Sequence, residues 1–216
     1  MKPSPSPAIA SSEAEPHYPG FARHALPDGH AFWTGRLPDA LCPDDDTFER
    51  WWQLHPGDFH EIMMHGRLVR TPRWQQAYGA DYRYTGRVNR ALPVPAAFRP
   101  LHAWAHSAID PRLNGLLLNW YDGGRKHYIG PHRDSTHAMV AGVPIVTLSF
   151  GEARVFRLRS WRGEGAVDFA AEPGSAFVLP YATNLAWTHE VPHFARHTGR
   201  RISITLRAFE DGAEKP

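Results

Sequence analysis

The chain has one cysteine, Cys42, in 216 residues. A single thiol excludes an intramolecular disulfide and favours a reducing compartment, so a cytoplasmic location is expected. No apolar run approaches the length of a bilayer span, so no membrane-crossing helix is expected. Met1 to Pro19 is rich in Pro, Ser and Ala and lacks the apolar core of a secretory leader. Charge of one sign is not in excess either. The 24 Lys and Arg nearly balance the 22 Asp and Glu, for a formal charge of +2. There are no internal repeats and no G-x-x-x-x-G-K-[ST] phosphate loop. Gly123-Gly124 is expected to be a turn.

What is present suits one globular domain, and a monomer is expected. Residues 1–20 are expected to be a disordered tail and 21–216 a single domain. Asp44, Asp45 and Asp46 precede Phe48, Trp51, Trp52 and Leu54, which predicts a short capped amphipathic helix within 38–55. Phe98, Leu101 and Trp104 predict a second helix over 95–109. From residue 114 the pattern changes to short β runs at 114–121, 145–150, 153–159, 175–179, 187–191 and 201–208. Closely spaced strands broken by Gly and Pro predict a mainly β sandwich or barrel with flanking helices. Trp161, Phe169 and Phe177 sit at strand spacing and are expected in the core.

Among 14 histidines, His132 and His189 are singled out with Asp134. His132 and Asp134 are two apart, so on an extended strand their side chains share a side. His189 lies 57 positions later and must be returned by the fold. Two neutral imidazoles and one carboxylate can occupy one face of an octahedral iron(II) ion and leave the opposite face open. Arg201-Ile-Ser-Ile-Thr-Leu-Arg207 alternates strictly, with Arg201, Ser203, Thr205 and Arg207 on one face. Guanidinium groups on one face suit a dicarboxylate, although an edge strand would give the same pattern. Asn119 and Tyr121 end an apolar strand on a common side. His127, His137, His193 and His197 lack partner spacing and are expected at surface or capping positions. Cys42 gives no sign of being a nucleophile.

In order, Asn119-Trp120-Tyr121, Ile129-Gly130-Pro131-His132-Arg133-Asp134, Pro144 to Gly151, Arg154 to Arg157, Trp187 to Pro192 and Arg201 to Arg207 resemble the AlkB-like branch of the 2-oxoglutarate and iron(II) dependent dioxygenases. Pro72 to Gly79 and Tyr82 to Gly86 resemble that family's nucleotide-recognition segment, placed at 62–92. The resemblance implies a double-stranded β-helix (a jelly-roll or cupin-like core) over 114–209. It also implies Fe(II), with 2-oxoglutarate and O2 as co-substrates. His132, Asp134 and His189 would hold the metal. Asn119, Tyr121, Arg201, Ser203 and Arg207 would bind 2-oxoglutarate, with Arg207 nearer its metal-bound end and Arg200 a rival to Arg201. Oxidation of an N-methyl group would release succinate, CO2 and formaldehyde.

The implied substrate is DNA or RNA carrying alkylated bases. Residues 66–100 carry seven arginines (67, 70, 73, 83, 87, 90 and 99) and one acid, Asp81, with Trp74, Tyr78, Tyr82 and Tyr84 among them. Arginines neutralise phosphates and aromatics stack on bases. Arg73, Tyr78, Tyr82, Tyr84 and Ser135 are the expected substrate residues. The sequence departs from the family at Ser135-Thr136-His137, where acids that read the base commonly stand. Base identity therefore stays open. Two alternatives remain: a small-molecule or protein hydroxylase with the same iron site, and a non-catalytic β-sandwich binding module.

Overall fold

A computed structural model describes residues 17–64, 66–84 and 87–210. The side chains of residues 64, 83, 84 and 87 fall outside that description, and so does most of the expected tail. Tyr18 is buried against Trp33, so ordered packing begins before residue 21.

The chain enters on β1 (Ala22–Ala25) and β2 (Ala31–Arg36), then forms helix α1 (Asp45–Trp52). Asp44 caps α1 by accepting the Thr47 backbone N–H at 2.8 Å. Next come β3 (Glu61–Met64), β4 (Arg67–Arg70), β5 (Trp74–Tyr78), β6 (Tyr82–Tyr84), β7 (Arg87–Asn89) and the short β8 (Ala91–Leu92). Helix α2 (Arg99–Ala108) leads to β9 (Gly115–Asp122), β10 (Ile129–His132), β11 (Ile145–Gly151) and β12 (Arg154–Ser160). The last elements are β13 (Ala166–Ala171), β14 (Ser175–Leu179), helix α3 (Tyr181–Ala186), β15 (Trp187–Val191) and β16 (Arg200–Arg207).

Two sheets face each other. The larger has eight strands in the order β1-β2-β14-β11-β16-β9-β5-β8, and the smaller has four in the order β10-β15-β12-β13. The central strands of the larger sheet are antiparallel, with Ser203 opposite both Asn119 and Ser149. Period-two alternation then divides the side chains. Leu116, Leu118, Trp120, Val146, Leu148, Phe150, Ile202, Ile204 and Leu206 point to the outer face, where α1 and α2 bury them with Trp51, Trp52 and Leu101. Each such aliphatic or Phe side chain contributes about 1.5–3 kcal/mol on burial. The Trp120 indole N–H donates to the Trp51 carbonyl at 3.0 Å, which ties α1 to the sheet.

The opposite parity faces the smaller sheet. Tyr121, Ile145, Phe156, Leu158, Phe177 and Trp187 close one half of that inner layer. The other half is polar and forms the site. The result is the expected jelly-roll-type arrangement.

Candidate metal centre and co-substrate pocket

His132 ends β10, His189 sits mid-β15, and their strands pair with these two residues opposite each other. Asp134 lies just past β10 in irregular backbone. Asn184 of α3 fixes that backbone from both sides: its Oδ1 accepts the Asp134 N–H at 2.9 Å, and its Nδ2 donates to the Asp134 carbonyl at 3.0 Å. Asp134 Oδ1 is thereby set 3.6 Å from His132 Nε2 and 3.8 Å from His189 Nε2. One ion with bonds of about 2 Å can span such gaps. Among the described residues this is the one group of three or more His, Cys, Asp or Glu side chains with donor atoms close enough to share a metal.

The electrostatics suit a cation. Burial, then the neighbouring imidazole, pushes His132 down to about 3, and burial also lowers His189. Both rings are neutral at pH 7 and keep a lone pair for a metal. The Gly130 carbonyl lies 2.9 Å from His132 Nδ1, which fixes the protonated nitrogen there and leaves Nε2 facing Asp134. Burial opposes the charged form of Asp134. The Arg207 guanidinium and the two imidazoles outweigh it and hold the carboxyl below the usual carboxylate range. Arg207 donates from Nε and Nη2 to Asp134 Oδ2 at 2.8 and 2.6 Å. Tyr82 donates to Oδ1 at 3.3 Å, and its ring lies 4.5 Å below the Arg207 guanidinium.

The same pocket extends to Arg201. It is lined by Asn119, Tyr121, Thr147, Ser203 and Thr205 between the metal cluster and that arginine. Arg201 is 0% exposed, and its Nε donates to Ser149 Oγ at 2.9 Å. Its Nη1 and Nη2 have no hydrogen-bond partner. Burial lowers its pKa, with Tyr121 opposing the shift. A buried cation with two idle donors is costly unless an anion completes it. Arg200 points the other way. It pairs with Glu49 at 2.7 Å and covers Trp52, which removes it as a rival.

Arg207 lies at the metal end of the pocket, as expected, and there its guanidinium pairs with Asp134. Several expected residues sit elsewhere than supposed. Arg73 is buried and bonded through Nε to Asn119 Oδ1 at 2.8 Å, so it is part of the pocket wall. Tyr78 is in the hydrophobic core near Phe98, away from the pocket, because β5 alternation turns it to the helix side. The side chain of Tyr84 lies outside the described residues. Ser135 lines an open groove that runs along the outer side of His132 and Asp134, and its Oγ accepts the His137 N–H at 3.3 Å. Trp74 is buried beside Phe59 and His127, and His127 is buried in a capping role, its Nδ1 accepting the Asp122 N–H at 3.1 Å. Trp161, expected in the core, is 54% exposed.

Residues 45–207 match the family model described as the 2OG-Fe(II) oxygenase superfamily. The chain belongs to that superfamily. It is 27% identical over 162 residues to the human (Homo sapiens) protein named DNA oxidative demethylase ALKBH2, covering 70% of this chain and 62% of the relative. The Bos taurus protein of that name is also 27% identical over 162 residues, covering 70% of this chain and 58% of that relative. The chain therefore spans less than two thirds of the length of both. A solved structure, that of OsALKBH1, aligns with TM-score 0.52 at 14% identity, covering 87% of this chain and 100% of that one. At that identity the likeness is one of fold. Within the superfamily, the named relatives support an AlkB-like member.

The donor set fits the superfamily's two named reagents. Three borderline-to-hard N and O ligands at one end suit Fe(II). At the other end, the idle Arg201 donors fit one carboxylate of 2-oxoglutarate. No helix among the described residues is long and apolar enough to cross a membrane.

Proposed function

We propose that this protein is a 2-oxoglutarate and Fe(II) dependent dioxygenase that oxidatively dealkylates bases in DNA or RNA. The observation that carries the reading is the Arg201 guanidinium. It is fully buried, lacks partners for Nη1 and Nη2, and faces the same pocket as a His/Asp/His cluster. A metal site alone would not need that cation, and a binding module would need neither.

In this reading His132, Asp134 and His189 hold the iron. Arg201 grips the far carboxylate of 2-oxoglutarate, with Tyr121, Asn119 and Ser203 shaping the channel. Bound iron and 2-oxoglutarate supply the oxygen chemistry that hydroxylates a C–H bond of the substrate. Arg207 keeps Asp134 ionised and pinned through Oδ2, which leaves Oδ1 for the metal. Tyr82 limits where Oδ1 can swing. The neutral imidazoles offer Nε2 without having to lose a proton first. A hydroxylated N-methyl group then breaks down to formaldehyde and the restored base.

A nucleic-acid substrate is supported by the likeness to the DNA oxidative demethylases and by the groove along the outer side of His132 and Asp134. The arginine-rich segment contributes less than its composition suggests, because Arg73 faces inward, Arg90 pairs with Asp81 at 2.6 Å and Arg70 with Glu61 at 3.7 Å. Monomeric action in the cytoplasm, consistent with the single free Cys42, completes the proposal. The test is to offer N-methylated single- and double-stranded DNA and RNA to the iron-loaded protein and assay formaldehyde and the restored base. Stoichiometric release supports the reading. Turnover of 2-oxoglutarate that no methylated nucleic acid stimulates overturns the substrate assignment.

A further inference from the structure

We propose that Trp161, with Arg133 laid over it, is a stacking platform for a base adjoining the target on the same single strand of nucleic acid. The proposal rests on the demethylase reading above and names where the strand runs. Trp161 follows β12 and is 54% exposed, and Leu185 on α3 is 47% exposed beside it. Large apolar groups left in water at one place mark a contact surface.

The indole is nevertheless held. Its backbone N–H donates to the Ala186 carbonyl at 2.9 Å. The Arg133 guanidinium carbon stands 4.4 Å from the ring centre, and Nη1 donates to the Leu185 carbonyl at 2.7 Å. Both halves of the platform are therefore fixed to the end of α3, the helix whose Asn184 also holds Asp134. The groove they line continues past Ser135 to His132 and Asp134. A strand whose target base reaches the metal cluster crosses this lip with its neighbouring nucleotides.

The chemistry selects a nucleotide. A base stacks on an exposed indole face whatever its identity, and a guanidinium beside it meets the phosphate. Arg133 is the arginine that lines this groove, and Arg162 and Glu164 follow Trp161 in the chain. Stacking that ignores base identity also suits the Ser135-Thr136-His137 segment, which offers no carboxylate to read an exocyclic amine.

The test compares a methylated single-stranded oligonucleotide with the corresponding methylated free nucleoside, using iron-loaded protein and 2-oxoglutarate. The nucleoside carries no neighbouring base to stack on Trp161. Trp161→Ala is expected to lower kcat/KM for the oligonucleotide relative to the nucleoside by about five-fold or more, mostly through KM. Trp161→Phe should recover most of that ratio. Quenching of a fluorescent base analogue placed next to the methylated base should weaken in Trp161→Ala. An unchanged ratio, or an equal fall for both substrates, overturns the platform while leaving the demethylase reading in place. A wild-type protein that turns over neither substrate overturns both.

Discussion

The two ends of the buried pocket treat charge in opposite ways. At one end the Asp134 carboxylate is oversupplied: Arg207 holds one oxygen, and Tyr82 and the two histidines surround the other. At the other end the Arg201 guanidinium is undersupplied, with one bond to Ser149 and two idle nitrogens. The first end is assembled before any ligand arrives. The second is a buried cation over the Tyr121 ring, and in the proposed reading an anion completes it. The ion pair at the first end is complete within the fold, whereas the Arg201 guanidinium has no acid beside it among the described residues.

This contrast predicts different costs for removing each residue. The largest effect belongs to the assembled end. Replacing His132, Asp134 or His189 by Ala is expected to abolish 2-oxoglutarate turnover, measured as succinate release. Asp134→Ala should also destabilise the metal-free protein by about 3–5 kcal/mol in denaturant unfolding, because it leaves Arg207 buried and unpaired. His189→Ala should not carry that penalty. If both variants unfold alike, the Arg207–Asp134 pair does not hold the site together.

Arg201→Met should behave in the reverse sense. It removes an unpaired buried cation, so the metal-free protein is expected to be no less stable than wild type. Affinity for 2-oxoglutarate should nonetheless fall about 30-fold or more, as when one partner of a buried charge pair is truncated. A large loss of stability with unchanged affinity would make Arg201 a structural residue.

Asn184→Ala is a smaller change. It releases the Asp134 backbone without touching a ligand atom, and metal affinity is expected to fall about 10–100-fold. Titration of the metal into the purified variant measures this, and wild-type affinity would show that Arg207 alone fixes the aspartate.

The contrast also has a pH signature. His132 titrates at about 3 in the folded protein against 6.5 ordinarily, so between those values the unfolded chain binds the extra proton. Stability of the metal-free protein should therefore fall as pH drops from about 6.5 towards 3. His132→Ala should flatten that slope. The Asp134 carboxyl, held low in the fold, adds a loss of the same sign at lower pH, below the ordinary carboxylate value.

The four central strands of the larger sheet, β14, β11, β16 and β9, are legible as apolar or alternating runs, whereas β1, β2, β5 and β8 are not among the expected strands. Arg201 to Arg207 and Leu116 to Tyr121 are the clearest cases, and the expected and observed strands agree within a residue or two. β13 was missed because its residues are mostly exposed and carry no apolar rhythm. The metal cluster was visible as residue types at a spacing, and the resemblance gave it company. Asn184 was not visible, since one amide in a six-residue helix has no periodic signature. The aromatics were the least legible. Trp74, Tyr78 and Tyr82 looked like stacking residues beside arginines and are buried, while Trp161 looked like core and is exposed. Composition shows that aromatic groups and cations share a segment, and only the sheet's parity and the turn geometry decide which of them meet water.

Titration calorimetry of 2-oxoglutarate into the iron-loaded protein under nitrogen tests the central claim most directly. Wild type should bind one equivalent, and Arg201→Met should bind at least about 30-fold more weakly. Equal binding by the two proteins would contradict the account.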